Sequence, residues 1–509
     1  MEISQPLLLA SLLLPFTWLL LRHLSASRRE NATNSHGRRI PTPPALPVLG
    51  HLHLLKKPLH RCLAALASRY GDGGGLLHLK FGAKPVVLVT SPAVVDECFT
   101  VHDAALADRP GLASRRMLTE DCPAISIANY GPFWRQLRRL ATVHALCTYR
   151  LAGTAAVRDA EARAMAARLC RAGPGAAVSI KAAAFEFAVN VIMTMVAGER
   201  MPEEKVLRFK ELTEAGSAAI GAANRQDYLP ALRLLDLGRT ARRLAAIAKA
   251  RRQFSQSLVD DYRRRHPNGA SEIETPRTVI GDLLRQQQEV SPEPLDDVVV
   301  RTVCLSLLQA GTDTSSSTIE WAMALLLNNP DVLKKAVDEI HSTVGTSRLL
   351  QESNLGNLPY LRCIITETLR LYPLGPNLIP HEASRDCVIA GHAVVRGTMV
   401  LVDAYSMQRD PNMWKDPEKF LPERFMDENP DGGRRWMMPF GMGRRRCPGE
   451  GLALRTMGMA LGIMLQCFEW EREKEVDMSE GSGITMPMAV PLVAVCRPCA
   501  RMQSLLKTI

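Results

Sequence analysis

The stretch Pro439-Phe440-Gly441-Met442-Gly443-Arg444-Arg445-Arg446-Cys447-Pro448-Gly449 sets one cysteine in a loop of glycines and arginines. A lone thiolate with one face free is the axial ligand that a five-coordinate haem iron accepts. Such a ligand pushes electron density onto iron and favours O–O cleavage. Gly443 and Gly449 allow backbone conformations and a close approach that a side chain would block. The arginines and oriented backbone amides are expected to lower the thiol's pKa, making the ligand a thiolate. The plainer reading is a buried cysteine in a basic loop that touches a phosphate.

Three further stretches carry chemistry. In Phe133-Trp134-Arg135-Gln136-Leu137-Arg138-Arg139, Trp134 and Arg138 stand four apart and share a helix face. Haem brings two propionates, and a guanidinium fork suits a carboxylate; the bland alternative, a solvated basic face, is expected for Arg135 and Arg139. Ala310-Gly311-Thr312-Asp313-Thr314-Ser315 falls mid-way along the longest apolar helical pattern. Glycine and hydroxyl residues there weaken the ladder and favour a local bend; taken alone they read as packing residues around a satisfied acid. Glu367-Thr368-Leu369-Arg370 sets an acid and a base three apart among apolar neighbours, so the pair is expected to be buried and to need further partners.

The elements that must position these residues are mostly helical. Helices are expected at about 155–172, 179–198, 203–217, 237–265, 294–328, 330–344 and 357–371. Apolar runs at 76–80 and 86–90 flank a Gly82/Pro85 turn and predict a hairpin, and Ser91-Pro92 predicts a helix start. Strand-like runs return at 388–390, 399–402 and near 490–495. The fold class is therefore mainly α with small β-sheets (α+β).

Residues 3–21 are uncharged and Leu-rich, long enough to cross a bilayer core, with Arg22, Arg28, Arg29, Arg38 and Arg39 behind them. This predicts one N-terminal transmembrane helix, a signal anchor over 1–22, with the rest cytosolic. The front end lacks the basic side chains of a cleaved signal, and the Asn31-Ala32-Thr33 sequon is then unused. A basic, Pro-rich linker over 23–50 follows. Its Pro41–Gly50 portion is expected to be a stiff extended connector, and the body occupies 51–509.

The chain has 509 residues, 46% hydrophobic and 23% charged, with a net charge of +11. That is ordinary globular composition with ample core. No nucleic-acid module is visible, which leaves a lipid bilayer and an acidic protein as partners for the positive charge. Twelve scattered cysteines suit a reducing compartment, and Cys496-Arg497-Pro498-Cys499 reads as structural or incidental.

The spacing Phe440, Gly443, Arg445, Cys447, Gly449 matches the haem-ligand signature of the cytochrome P-450 superfamily in every position. The other motifs stand in that family's order, so the chain resembles its plant microsomal group. The cysteine loop and Ile379-Pro380-His381-Glu382 are similar to the subgroup that oxidises flavonoids, other phenolic or indolic metabolites, and herbicides. The resemblance implies haem b with Cys447 as axial ligand. It implies Trp134, Arg138 and Arg445 at a propionate, His381 as a further donor, and Phe440 and Gly449 as part of the cofactor loop. Thr314 would hydrogen-bond dioxygen, and Asp313 would relay protons from solvent. Arg424, in Phe420-Leu421-Pro422-Glu423-Arg424-Phe425, would join Glu367 and Arg370 in a structural network. Thr366 departs from the lysine common in relatives.

The activity so implied is hydroxylation or O-demethylation of a small lipophilic molecule in an apolar pocket. The candidate lining is 105–127, 306–314, Leu378-Ile379 and Ile484 to Met488. No dinucleotide-binding glycine loop is present, so NADPH would act only indirectly, through NADPH–cytochrome P-450 reductase at the endoplasmic reticulum membrane. Rival expectations are a reductase-independent haem-thiolate dehydratase or isomerase, a non-catalytic haem sensor, and a haem-free membrane scaffold.

Overall fold

The computed structural model describes residues 39–119, 123–219, 224–267, 277–289, 295–426, 436–481, 483 and 485–509. The expected anchor over 1–22 and the linker as far as 38 lie outside the described residues. Among the described residues, one helix is long and apolar enough to cross a membrane, Ile180–Ala197, and it is a largely buried core helix. The chain divides into two compact units. Of the described residues, the first comprises those up to 110, 225–237 and 380–403; the second holds those within 111–224, 238–379 and 404–509.

The first unit is built on a four-stranded sheet. Leu76–Phe81 and Lys84–Val89 form the expected antiparallel hairpin, with Leu79 opposite Val86. Met399–Val402 adds in parallel to the second strand, and His381–Glu382 pairs antiparallel with it. Val86, Leu88, Val89, Val400 and Val402 are fully buried, so these runs are apolar without alternation, as strands covered on both faces are. Pro92–Thr100 starts at proline after Ser91, as predicted, although the serine side chain makes no capping bond.

The proline-rich segment differs from expectation. It is not a continuous extended rod: Leu46 and Gly50 exchange both backbone hydrogen bonds, at 2.9 and 2.8 Å, and close a tight turn. Pro43 is then tied back to the sheet by His51. The His51 Nε2–H donates to the Pro43 carbonyl at 2.8 Å, and Nδ1 accepts from the Lys80 amide at 2.7 Å. This pairing needs the neutral ring, and burial holds the His51 pKa below its ordinary value.

The second unit is helical. All seven expected helices are present, among them Ala155–Arg171, Ile180–Ala197, Glu203–Ala218, Arg239–Arg265, Pro330–Val344 and Pro359–Leu371. The longest, Asp297–Asn328, is its centre. The Asp296 carboxylate caps it by accepting from the Val299 amide at 2.8 Å. It lies along Ile180–Ala197, and Gly311 permits this, because a Cβ there would stand 2.5 Å from Ile192 Cδ1. Glu450–Cys467, the helix after the cysteine loop, packs on another side. The expected weakening around Ala310 to Ser315 does not break the helix, which is α throughout. The Thr312 and Thr314 hydroxyls donate to the carbonyls of Leu308 and Ala310 and leave the ladder in place. Ala176–Ser179, Val493–Pro498 and Phe468–Glu471 make a three-stranded sheet at the edge of this unit.

Glu367 and Arg370 are fully buried on Pro359–Leu371. Arg370 grips Glu367 with two bonds, of 2.7 and 2.8 Å, and Arg424 Nε adds a third at 3.0 Å. Arg370 also donates to the carbonyls of Gln408, Pro417 and Lys419, so every charged atom has partners. Gln408 Oε1 in turn accepts from the Met438 amide at 3.2 Å, and Met438 carbonyl accepts from Gly441 in the cysteine loop. Glu367→Ala strands a buried guanidinium. It is expected to cost about 3–5 kcal/mol, read as the loss of unfolding free energy in denaturant; a loss below about 1 kcal/mol would contradict a buried, desolvated network.

Candidate functional site

Cys447 sits between a single helical turn, Gly443–Arg445, and the helix Glu450–Cys467. Gly441 and Gly443 have φ of +71° and +62°, where a side chain is strained. Those two reversals bring the chain back on itself, so that the Cys447 amide donates to the Phe440 carbonyl at 2.8 Å. The Phe440 ring packs against the helical core. Gly449 does not share the conformational need expected of it: its φ is −91°, and a Cβ would lie 3.8 Å from Cys447 Sγ, an ordinary contact.

The thiol is exposed at its own surface, yet protein surrounds it closely enough that burial pushes its pKa up. The Gly449 amide, Arg138 and Arg446 act in the expected direction, and burial opposes them. A coordinated cation favours the thiolate further. Among the described residues, no group of three or more His, Cys, Asp or Glu side chains could hold a metal. A single sulfur suits a metal whose other ligands come from a macrocycle.

Basic and aromatic groups gather beside this loop. Trp134, Leu137 and Leu140 form the buried face of Pro132–Ala141, and Arg135 and Arg139 are exposed, as expected. The Arg445 guanidinium lies 4.5 Å from the Trp134 ring centre, and that of Arg138 lies 5.9 Å away. Backbone carbonyls missed in the sequence take their protons. Trp134 Nε1 and Arg445 Nη1 donate to Ile125, Arg445 Nη2 donates to Ala128, and Arg138 Nη1 donates to Arg446. Burial lowers the Arg138 pKa, Cys447 raises it, and none of the described residues gives Arg138 a carboxylate. A desolvated guanidinium with one carbonyl partner is the setting a haem propionate would complete.

Asp313 and Thr314 lie on the central helix. Ala310 is exposed, and Leu307 and Thr314 are half-buried, although the helix is otherwise core. Their spacing of three and seven puts them on one accessible, mostly apolar face. Thr314 Oγ1 bonds the Ala310 carbonyl at 2.5 Å. Asp313 is ion-paired to Lys181 at 3.3 Å, a partner that the sequence reading did not find. Ser306 accepts from the Ile125 amide at 3.2 Å and ties this helix to the carbonyl-bearing loop.

His381 belongs to the first unit. It is buried, its Nδ1 lies 2.7 Å from the Leu106 carbonyl, and its ring meets Phe99 edge-on at 5.0 Å. Of the expected pocket residues, Ile379 is an exposed apolar side chain, and Met486 and Met488 are buried. Residues 120–122 and Ile484 lie outside the described residues.

Comparison with known proteins agrees with this geometry. The profile of the cytochrome P-450 family matches residues 40–492. An isoflavone 3'-hydroxylase of Medicago truncatula is 40% identical over 474 residues, covering 90% of this chain and 92% of its own length. A (+)-piperitol/(+)-sesamin synthase of Sesamum radiatum is 40% identical over 481 residues, 92% of each chain. An isoflavone 2'-hydroxylase of Medicago truncatula is 37% identical over 469 residues, 90% of this chain and 91% of that one. A haem bound through an axial cysteine thiolate and monooxygenase chemistry come with such a match, and the chain belongs to the cytochrome P-450 family.

Proposed function

We propose that this monooxygenase hydroxylates or O-demethylates a small lipophilic plant metabolite of the flavonoid or related phenolic class, or a herbicide of similar shape. The observation that carries the reading is the accessible apolar face that ends at Thr314, on a central helix whose buried residues share one core with the helix behind Cys447. The hydroxylase names of the relatives point to the same substrate class.

Haem b, held by Cys447, supplies the oxygen activation. The chain's own residues do the rest. Phe440 and Gly449 shape the ligand loop. Trp134, Arg138 and Arg445 neutralise a propionate, with His381 as a further donor. Leu307 and Ala310 give the substrate an apolar wall that excludes water. The Thr314 hydroxyl, now engaged with Ala310, turns to hold a proton at the oxygen, and Asp313 replenishes it from the solvent side. Glu367, Arg370 and Arg424 keep the loop in register without touching substrate.

Electrons come from NADPH through NADPH–cytochrome P-450 reductase, whose acidic face suits a chain of charge +11. Residues 1–22 anchor the enzyme in the endoplasmic reticulum membrane, the stretch from 23 up to Pro41 links, and the body that follows faces the cytosol.

Three measurements test the reading. Microsomes with reductase, given a panel of flavonoids, related phenolics and herbicides, should yield products one oxygen heavier or one methylene lighter by mass. Cys447→Ser should remove both turnover and the red-shifted carbon monoxide band of the reduced protein; a band of wild-type position in that variant would dismiss Cys447 as ligand. Thr314→Ala should keep NADPH oxidation while product falls and peroxide rises. Wild-type product yield would contradict proton delivery through that hydroxyl.

A further inference from the structure

A cleft of about 500 Å³ opens at the C-terminal end of Ala155–Arg171, within the helical unit. That size falls in the roughly 300–1,000 Å³ range of small-molecule sites. Its charged lining is Arg168, Arg171, Arg200, Lys507 and Glu186, four cations against one carboxylate. Two alanines, Leu506 and Ile509 supply an apolar wall. None of these side chains belongs to the cysteine loop, the cluster around Trp134 or the central helix. Cations are ordinary in a helix's last turn, where they answer the dipole, and Arg168 and Arg171 stand there. A hydrated rim would account for Arg171, Arg200 and Lys507, which are exposed. Arg168 does not fit that account. Its side chain is 21% exposed, and its Nε meets Glu186 Oε1 at 3.1 Å. Both of its Nη atoms are shut off from solvent and have no hydrogen-bond partner.

The acids nearby do not relieve it. Glu186 also lies 3.9 Å from Arg200 Nη2, and Glu161 Oε1 pairs with Arg200 Nε at 3.0 Å. The other Glu161 oxygen, Oε2, has no bond either, so it does not reach the Arg168 fork. Burial lowers the Arg168 pKa; Glu186 and Glu161 oppose, and Arg200 and Arg171 add to the burial. A guanidinium stays charged all the same. Desolvated, crowded by like charges and short of acceptors, it favours an anion.

We propose that this cleft is a second ligand site, which takes the phosphate monoester of a small organic molecule or of a lipid headgroup. A monoester carries close to two negative charges at neutral pH, and three acceptor oxygens. Arg168, turned about its terminal side-chain bonds, offers its two Nη prongs to two of them. Arg171 and Lys507 meet the remaining charge from the rim, while Arg200 stays with Glu186 and Glu161. A monocarboxylate would leave most of the excess positive charge unanswered. Leu506 and the alanines face the carbon body of the ester.

Calorimetric titration of the full-length holoenzyme in phosphatidylcholine nanodiscs tests the site, with phenyl phosphate as the probe. Phenyl phosphate should bind saturably, and phenyl sulfate, of like shape and single charge, several-fold more weakly. Affinity should fall as pH drops through about 6, where the monoester takes up its second proton. Arg168→Met, and Arg171→Gln combined with Lys507→Gln, should each weaken binding by about tenfold or more. Both should keep the carbon monoxide band as the sign of an intact fold, and the double variant alters exposed side chains alone. Nanodiscs containing phosphatidic acid, matched in charge to a phosphatidylserine control, separate the two sources. A headgroup that fills the cleft abolishes the phenyl phosphate signal in the first, and a soluble ligand leaves it in both. No saturable binding, an affinity indifferent to pH, or wild-type affinity in both variants would each overturn the proposal.

Discussion

One sulfur has to be enclosed by protein and still present a bare face. Cys447 meets both demands: its neighbours desolvate it enough to raise its pKa, and its side chain remains accessible. Such a combination is unstable for an isolated polar group and natural for a ligand that awaits a cation. The loop reaches it through two left-handed glycines and a backbone bond from Cys447 to Phe440, and the arginines on its near side are tied to main-chain carbonyls. The burden of rigidity passes outward to the core helix behind it and, through Met438 and Gln408, to the buried Glu367–Arg370–Arg424 cluster.

The same logic governs the cations around Trp134. Three residues that the sequence singled out for one task, Trp134, Arg138 and Arg445, do converge on one indole. Their polar hydrogens are parked on main-chain carbonyls of Ile125, Ala128 and Arg446. Carbonyls are weak partners for a desolvated guanidinium, and an anion can displace them at little cost. The arrangement is therefore preorganised without being locked.

Much of this was legible in the chain. Long helices declared themselves by apolar period, the helix at Pro92 by the pair Ser91-Pro92, and the hairpin by two apolar runs around Gly82. Glu367 and Arg370 could be called buried because Ile364, Ile365, Leu369 and Leu371 surround them on their helix. What stayed hidden depended on tertiary approach. No residue pattern announces that Ile125 and Ala128 lend carbonyls to an arginine more than three hundred positions away. Nothing in the chain singles out Lys181, which the packing of two helices at Gly311 brings to Asp313. At Cys447 the Gly449 amide, Arg138 and Arg446 act as the sequence suggests, while the desolvation that opposes them depends on packing that no residue pattern displays. The proline-rich stretch misled because dense proline suggests a rod, whereas the closing bonds between Leu46 and Gly50 make it turn.

The His51 clasp has a practical corollary. Its imidazole spends both ring nitrogens on main-chain atoms, one on either side of the turn, so the segment from Pro43 onward is as much a part of the sheet as its strands are. A shortened form beginning at residue 39 would keep that clasp whole. One beginning after Pro43 would leave a buried imidazole N–H with nothing to receive it, a cost of about 1–3 kcal/mol. The place to cut thus lies before Pro43, not at Gly50 where the prolines would suggest.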